Sequence, residues 1–154
     1  MKNILSEPEF ETHIRSIIQY EIINKYSEFV LLDNKKAVDI MFARNSNPPK
    51  IYFLELKYLK KDDRTGIGQT KGRGFQPEIL SKKIDYFEVN LRWIIGNENS
   101  EECLFLSNQE VRKYLMGKGI KKKQNNLKKS VFKSEQTLND KSLINAIKNW
   151  LHIT

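Results

Sequence analysis

The sequence contains few of the residues that build disulfides and zinc sites. Its 154 residues include one cysteine and two histidines. One cysteine excludes an internal disulfide, and the three residues together are too few to favour a Cys/His zinc site. Because Cys103 lies in the apolar run CLFL, we expect it to be a buried thiol.

Long apolar runs are also absent. No run approaches the ~18 residues that a membrane-spanning helix needs, and the first residues, MKNILSEPEFE, lack the apolar core of a signal peptide. The chain has no internal repeat and no long linker rich in proline, glycine or serine. We therefore expect a single cytoplasmic domain over residues 1–154, with no membrane contact.

Acidic residues are too few to balance the basic ones. Lysine and arginine number 27 against 19 aspartates and glutamates, so the formal net charge is +8. An excess of this size favours a polyanionic partner, although a lysine-rich solvated surface is the alternative. The positive charges cluster in two segments, which favours double-stranded DNA as the partner.

Hydrophobic periodicity predicts a mixed α/β domain. Stripes with helical spacing occur at residues 8–26, from Pro77 through Ile84 and Phe87, at 107–116 and in a closing helix at 139–153. Short apolar runs predict strands at 29–33, 36–44, 50–59, 91–96 and 103–107, of which the first three should form an antiparallel meander. This order indicates a small mixed β-sheet flanked by helices.

The third predicted strand, IYFLELKYL, carries two charged residues inside an apolar run. Side chains alternate between faces along a strand, so Glu55 and Lys57 share one face while Leu54 and Leu56 occupy the other. A strand that is apolar on both faces is typical of the centre of a sheet. Charges there are costly unless they pair, bind a metal or open to a cleft.

A third charged residue, Asp39, interrupts the apolar run AVDIMF in the preceding strand. Two carboxylates and a lysine that converge at one end of a sheet are the groups needed for metal-dependent cleavage of a phosphodiester. The alternative is structural: Glu55 and Lys57 pair at a strand end, and Asp39 bonds to backbone.

This pattern resembles the PD-(D/E)XK nuclease superfamily, with its restriction-endonuclease-like fold, over about residues 10–107. Val38 stands where that pattern has its proline. The resemblance implies hydrolysis of DNA with Mg²⁺, for which Mn²⁺ can substitute. Asp39, Glu55 and the backbone carbonyl of Leu56 would hold the metal, and Lys57 would position the attacking water and stabilise the transition state.

We therefore expect a DNA endonuclease of the restriction or genome-defence type. It should act as a homodimer, because one active site cuts one strand. Size and basic charge also suit a Holliday-junction resolvase. A non-catalytic nucleic-acid-binding module of the same fold is the alternative from another class.

The first predicted helix carries two glutamates, Glu11 and Glu21, that project onto its apolar stripe. Relatives in the superfamily often contribute a helix acid to the site, and Glu11, near the helix start, is the slightly better candidate. Otherwise Glu11 would favour the helix dipole and Glu21 would pair with a core cation.

Two basic segments are candidates for DNA contact. The polar loop at residues 60–76 follows the strand that carries Lys57, and the segment at 117–133 is rich in lysine and contains no acid. Either could instead be solvated. The candidate DNA-binding residues are Lys60, Lys61, Arg64, Gln69, Lys71, Arg73 and Gln76 in the loop, with Lys121, Lys122 and Lys123 in the second segment.

Overall fold

A computed structural model describes residues 1, 4–32, 38–59, 80, 83–98, 100–115, 127–128 and 130–154. The helices are α1 (Glu7–Ile18), continued by a π-helical segment (Gln19–Ile23), α2 (Asp85–Asn90), α3 (Asn108–Lys113), α4 (Val131–Ser134) and α5 (Asp140–Trp150). The strands are β1 (Phe29–Leu32), β2 (Ile40–Arg44), β3 (Lys50–Leu59), β4 (Leu91–Asn97) and β5 (Cys103–Leu106). Within these ranges, no helix has the length and hydropathy that would let it cross a membrane.

The described strands form one five-stranded sheet in the order β1-β2-β3-β4-β5. β1, β2 and β3 are the predicted antiparallel meander. β4 runs parallel to β3, and β5 runs antiparallel to β4. The predicted mixed sheet with flanking helices is therefore confirmed, while the restriction-endonuclease-like core stays a prediction.

The first helix differs from the predicted single α-helix over residues 8–26. Ser6 caps its start by accepting a hydrogen bond from the backbone N–H of Glu9. After Ile18 the backbone changes to π-helix, closed by a bond of 2.9 Å from the N–H of Asn24 to the carbonyl of Gln19. The wider turn rotates the residues that follow, so that Ile22 is fully buried in the core.

Both faces of the sheet are covered. Phe10 and Ile14 of α1 pack with Leu54 and Leu56 on one face, together with Ile147 of α5. On the other face, a second core contains Leu91, Trp93, Ile95, Leu104 and Val111. The prediction that β3 is a buried central strand is thus confirmed.

The single thiol lies in the first of these cores. Cys103 is fully buried, and burial raises the pKa of its thiol to about 12. Its backbone exchanges hydrogen bonds with Leu138. The predicted buried thiol is confirmed.

Two other helices begin or end differently from their predictions. Ile84 has an extended backbone and is 38% exposed, so the helix that carries Phe87 begins at Asp85 and Ile84 does not face inward. The carbonyl of Ile84 caps that helix by accepting from Phe87 and Glu88. The predicted capping box of α3 is present between Ser107 and Glu110, but the helix ends at Lys113 rather than near residue 116.

Candidate functional site

The candidate site lies where β2 begins and β3 continues past it. The first residue of β2, Ile40, is in register with Leu54 of β3. Beyond this pair, β3 stays paired with β4 on its other edge as far as Leu59 and Asn97. Asp39 therefore directly precedes the first residue of β2 that pairs with β3.

Asp39 occupies a bend directly before β2, not a position within the strand as predicted. Its Oδ2 accepts a hydrogen bond of 2.7 Å from the backbone N–H of Leu56, and its backbone carbonyl accepts one from the guanidinium of Arg15. An aspartate side chain can replace a strand partner in this way because its short carboxylate competes with backbone acceptors. Asp39 is thus held beside the strand segment that carries Glu55 and Lys57.

Glu55 lies on β3 in register with Trp93, and Lys57 lies in register with Ile95. Glu55 is only 1% exposed, so its carboxylate is among the most deeply placed polar groups that the structure describes. Burying such a group is costly unless polar partners or a cation compensate. A position of this kind is more easily explained by function than by stability.

Lys57 reaches from β3 to the start of α1. Its Nζ lies 3.8 Å from Oε1 of Glu7, and its side chain is 20% exposed. The ammonium group is therefore partly accessible to solvent at the end of the sheet, where a substrate could approach.

Of the two helix acids, the structure brings Glu11 to this region. The pKa of Glu11 is raised, first by burial and then by the negative charges of Asp39 and Glu7, while Arg15 and Lys57 oppose the shift. These influences place Glu11 within electrostatic reach of Asp39 and Lys57.

Glu21 has a different setting. Its Oε2 accepts a hydrogen bond of 2.5 Å from Lys25, one turn further along. That bond is the main reason that its pKa is lowered, and Lys148 contributes as well. The structure does not bring Glu21 to the other candidate residues.

Two residues at the site were not among the sequence candidates, namely Glu7 and Arg15. Both were detectable in principle, because Glu7, Glu11 and Arg15 recur at intervals of four residues and so share one face of α1. That face contacts Lys57 of β3 and the backbone of Asp39. A charged stripe on a helix is usually solvated, which is why the spacing alone did not indicate a site.

The donors present suit a hard divalent cation better than zinc. Among the described residues, no group of three or more histidine, cysteine, aspartate or glutamate side chains is arranged to hold a metal. Mg²⁺ commonly takes one or two carboxylates and completes its shell with water and substrate oxygens. Asp39 and Glu55 supply that number, and the Leu56 carbonyl is directed to the same strand edge as its N–H, towards Asp39.

The residues predicted to contact DNA lie outside the described part of the chain. This applies to the loop residues Lys60, Lys61, Arg64, Gln69, Lys71, Arg73 and Gln76, and to Lys121, Lys122 and Lys123. Their roles stay predictions from the sequence.

No family model, no curated protein and no solved structure matches this chain. Its function is therefore inferred from the charged side chains that lie on or beside β3.

Proposed function

We propose that this protein is a Mg²⁺-dependent DNA endonuclease that hydrolyses phosphodiester bonds, of the restriction or genome-defence type. The observation that carries the proposal is the bond from Leu56 to the carboxylate of Asp39. It holds one acid against the strand that contains the buried Glu55 and the partly accessible Lys57. The same grouping of residues underlies the resemblance to the PD-(D/E)XK superfamily.

Each residue has a role that follows from its chemistry. Asp39 and Glu55 would hold Mg²⁺, or Mn²⁺ in its place, with the carbonyl of Leu56. The bound cation would offset negative charge on the phosphate and on the leaving oxygen. Lys57 would orient the attacking water and stabilise developing charge through its ammonium group. Glu11, whose pKa is raised by burial and by nearby negative charges, would accept a proton from the attacking water more readily than an ordinary carboxylate.

The alternative is a non-catalytic nucleic-acid-binding module, and the same hydrogen bond gives it a physical basis. An aspartate that bonds to Leu56 could serve only to terminate the pairing of β3. A buried Glu55 argues against that alternative, because a purely structural role at this position is served at lower cost by an apolar residue.

The expected partner is double-stranded DNA, since the net charge is +8. We further propose that the protein acts as a homodimer in the cytoplasm, because one site cuts only one strand. A Holliday-junction resolvase is a second candidate activity that the size and charge of the chain would also suit.

The decisive experiment separates a structural from a catalytic aspartate. Asp39→Asn keeps an oxygen that can accept from Leu56 but removes the charge that a metal requires. We expect this variant to stay folded, with an unchanged Tm, and to lose at least about a hundredfold in cleavage rate. Asp85→Asn, an exposed aspartate in the first turn of α2, is the matched control and should cut normally.

Two further variants, each with an exposed control of the same residue type, extend the test. Glu55→Gln and Lys57→Ala should also abolish cleavage while leaving most of the DNA affinity, whereas the exposed controls Glu101→Gln and Lys141→Ala should not. Substrates are supercoiled plasmid, single-stranded DNA and a four-way junction, each incubated with Mg²⁺, Mn²⁺, Ca²⁺ or EDTA.

The substrates and metals distinguish the candidates. Discrete plasmid fragments in Mg²⁺ would support the restriction type, and junction-only cutting would support the resolvase. Ca²⁺ should support binding with little cutting, because its larger and looser shell positions water poorly. Cleavage in excess EDTA, or wild-type rates in the Asp39, Glu55 and Lys57 variants, would refute the assignment. Tight DNA binding without any cleavage would favour the binding module.

A further inference from the structure

A groove of about 280 Å³ runs along α1 beside the candidate site. We call it the α1 groove. Its floor is apolar and contains Ile18, Leu31 and Ile40, and its polar wall includes Arg15 and Gln19. The volume is near the lower end of the range for small-ligand sites, which suits a single nucleotide rather than a duplex.

Two residues that line the α1 groove adjoin Asp39. Ile40 on its floor directly follows Asp39 in the chain, and Arg15 on its wall donates a hydrogen bond to the carbonyl of Asp39. A molecule in the groove would therefore touch the same backbone that holds the Asp39 carboxylate. Arg15 is exposed, so the rest of its guanidinium can contact an anionic oxygen.

An exposed aromatic side chain, Tyr20, stands at the rim of the groove. It is 64% exposed, so most of its ring surface is accessible to a ligand. Tyr20 lies in the π-helical segment that begins at Gln19. Such segments are rare and occur frequently at functional sites, because the extra residue redirects the side chains around it.

An apolar floor, an aromatic rim and one guanidinium together match the chemistry of a nucleotide. A nucleobase can stack on the ring of Tyr20 and cover the floor, and its phosphate can pair with Arg15. A base has a free face for such stacking only in a single strand or after displacement from the duplex.

We infer that the α1 groove binds one unpaired nucleotide next to the phosphodiester that is cut, with its base on Tyr20 and its phosphate on Arg15. This inference rests on the proposed function and refines it. The preferred substrate is then duplex DNA with one unpaired nucleotide adjacent to the cleavage position, which favours a structure-specific nuclease over the restriction type within the proposed activity.

The test measures binding separately from cleavage. Fluorescence anisotropy measures the affinity for three DNAs: a fully paired duplex, the same duplex with one unpaired thymidine, and a version with an abasic residue at that position. Each affinity is measured with Ca²⁺ in place of Mg²⁺ and again in EDTA. The proteins are wild type, Tyr20→Ala, Tyr20→Phe and Val89→Ala. Val89 is also 64% exposed but lies on α2, so it controls for the loss of a surface side chain.

The wild-type protein should bind the duplex with an unpaired thymidine about fivefold to a hundredfold more tightly than either other duplex. Tyr20→Ala should remove this preference, whereas Tyr20→Phe and Val89→Ala should retain it. A wild-type protein without the preference, or a preference that survives Tyr20→Ala, would overturn the inference.

A cleavage assay distinguishes failure of the nuclease proposal from failure of the groove proposal. Cutting without a Tyr20-dependent preference would leave the nuclease proposal standing and refute the groove. A Tyr20-dependent preference without cutting in any metal would support the groove and refute the nuclease. Failure to bind any of the three duplexes would refute both.

Discussion

Gly96 controls how closely the first helix approaches the sheet, and Gly96→Ala tests this. Gly96 lies on β4 in register with Tyr58 of β3. A Cβ atom built at this position would come within 2.6–3.0 Å of three ring atoms of Phe10. Phe10 is fully buried and its ring lies 5.7 Å from that of Tyr58, so neighbouring side chains restrict its movement.

The expected loss of stability follows from two opposing effects. Overpacking of a core costs about 1–3 kcal/mol, while replacing glycine by alanine restricts the unfolded chain and contributes about 0.4–1 kcal/mol in the other direction. We therefore expect a net destabilisation of about 1–2 kcal/mol. For a chain of this length, that corresponds to a fall in Tm of about 2–8 °C.

The same substitution should affect the candidate site. Glu11 directly follows Phe10 on α1 and is within electrostatic reach of Asp39. If the added methyl group displaces the start of α1, Glu11 and Glu7 move relative to Asp39 and Lys57. Cleavage should then fall several-fold at a temperature well below the Tm, where the variant is still folded.

Phe10→Leu provides the matched control, because it removes the ring atoms that the new methyl group would meet. Alone it should cost about 1 kcal/mol. In the double variant the two losses should be less than additive by at least about 0.5 kcal/mol. Urea unfolding and thermal denaturation measure all four proteins. Additive losses, or a Gly96→Ala variant as stable as wild type, would refute the packing argument.

Three further predictions follow from shifted pKa values. The raised pKa of Glu11, caused first by burial and then by Asp39 and Glu7, means that its contribution to stability declines as pH rises above about 4.5 through the folded-state pKa. Glu11→Gln should therefore raise the Tm at pH 7 while slowing cleavage, and an unchanged Tm would contradict the shift. Burial alone would raise the pKa of Asp140, but hydrogen bonds from His13 and the N-terminal amine lower it overall. The stability that Asp140 contributes should be complete above pH 3.8 and lost as pH falls through its folded-state pKa. Asp140→Asn should therefore be less stable than wild type at pH 7 and equal to it in stronger acid, which denaturation at several pH values can measure. Burial raises the pKa of Cys103 to about 12, so a thiol reagent at pH 8 should modify the native protein on the order of a thousandfold more slowly than the unfolded chain, and comparable rates would show that the thiol is accessible.

The sequence predicted correctly those strand bounds and helix caps that depend only on residues close together in the chain. The bounds of β3 were predicted correctly because its apolar run ends at a polar segment. The cap at Ser6 and the capping box at Ser107 each lie within four residues. The position of Glu55 and Lys57 on one face of a buried strand required only the two-residue period. The prediction failed at Ile84, whose side chain fits the helical stripe although its backbone is extended and its helix begins one residue later, at Asp85.

The mixed sheet, the central place of β3 and the candidate residues Asp39, Glu55 and Lys57 could thus be predicted from local sequence, because periodicity and the cost of buried charge act within short segments. The packing of α1 on the sheet, in contrast, brings Glu11 rather than Glu21 within electrostatic reach of Asp39 and Lys57. Glu11 takes this position because α1 packs on the face of the sheet where Gly96 leaves room for Phe10, and the π-helical segment places Ile22 in the same core. Those outcomes depend on contacts between residues far apart in the chain, and such contacts have no local signature in the sequence.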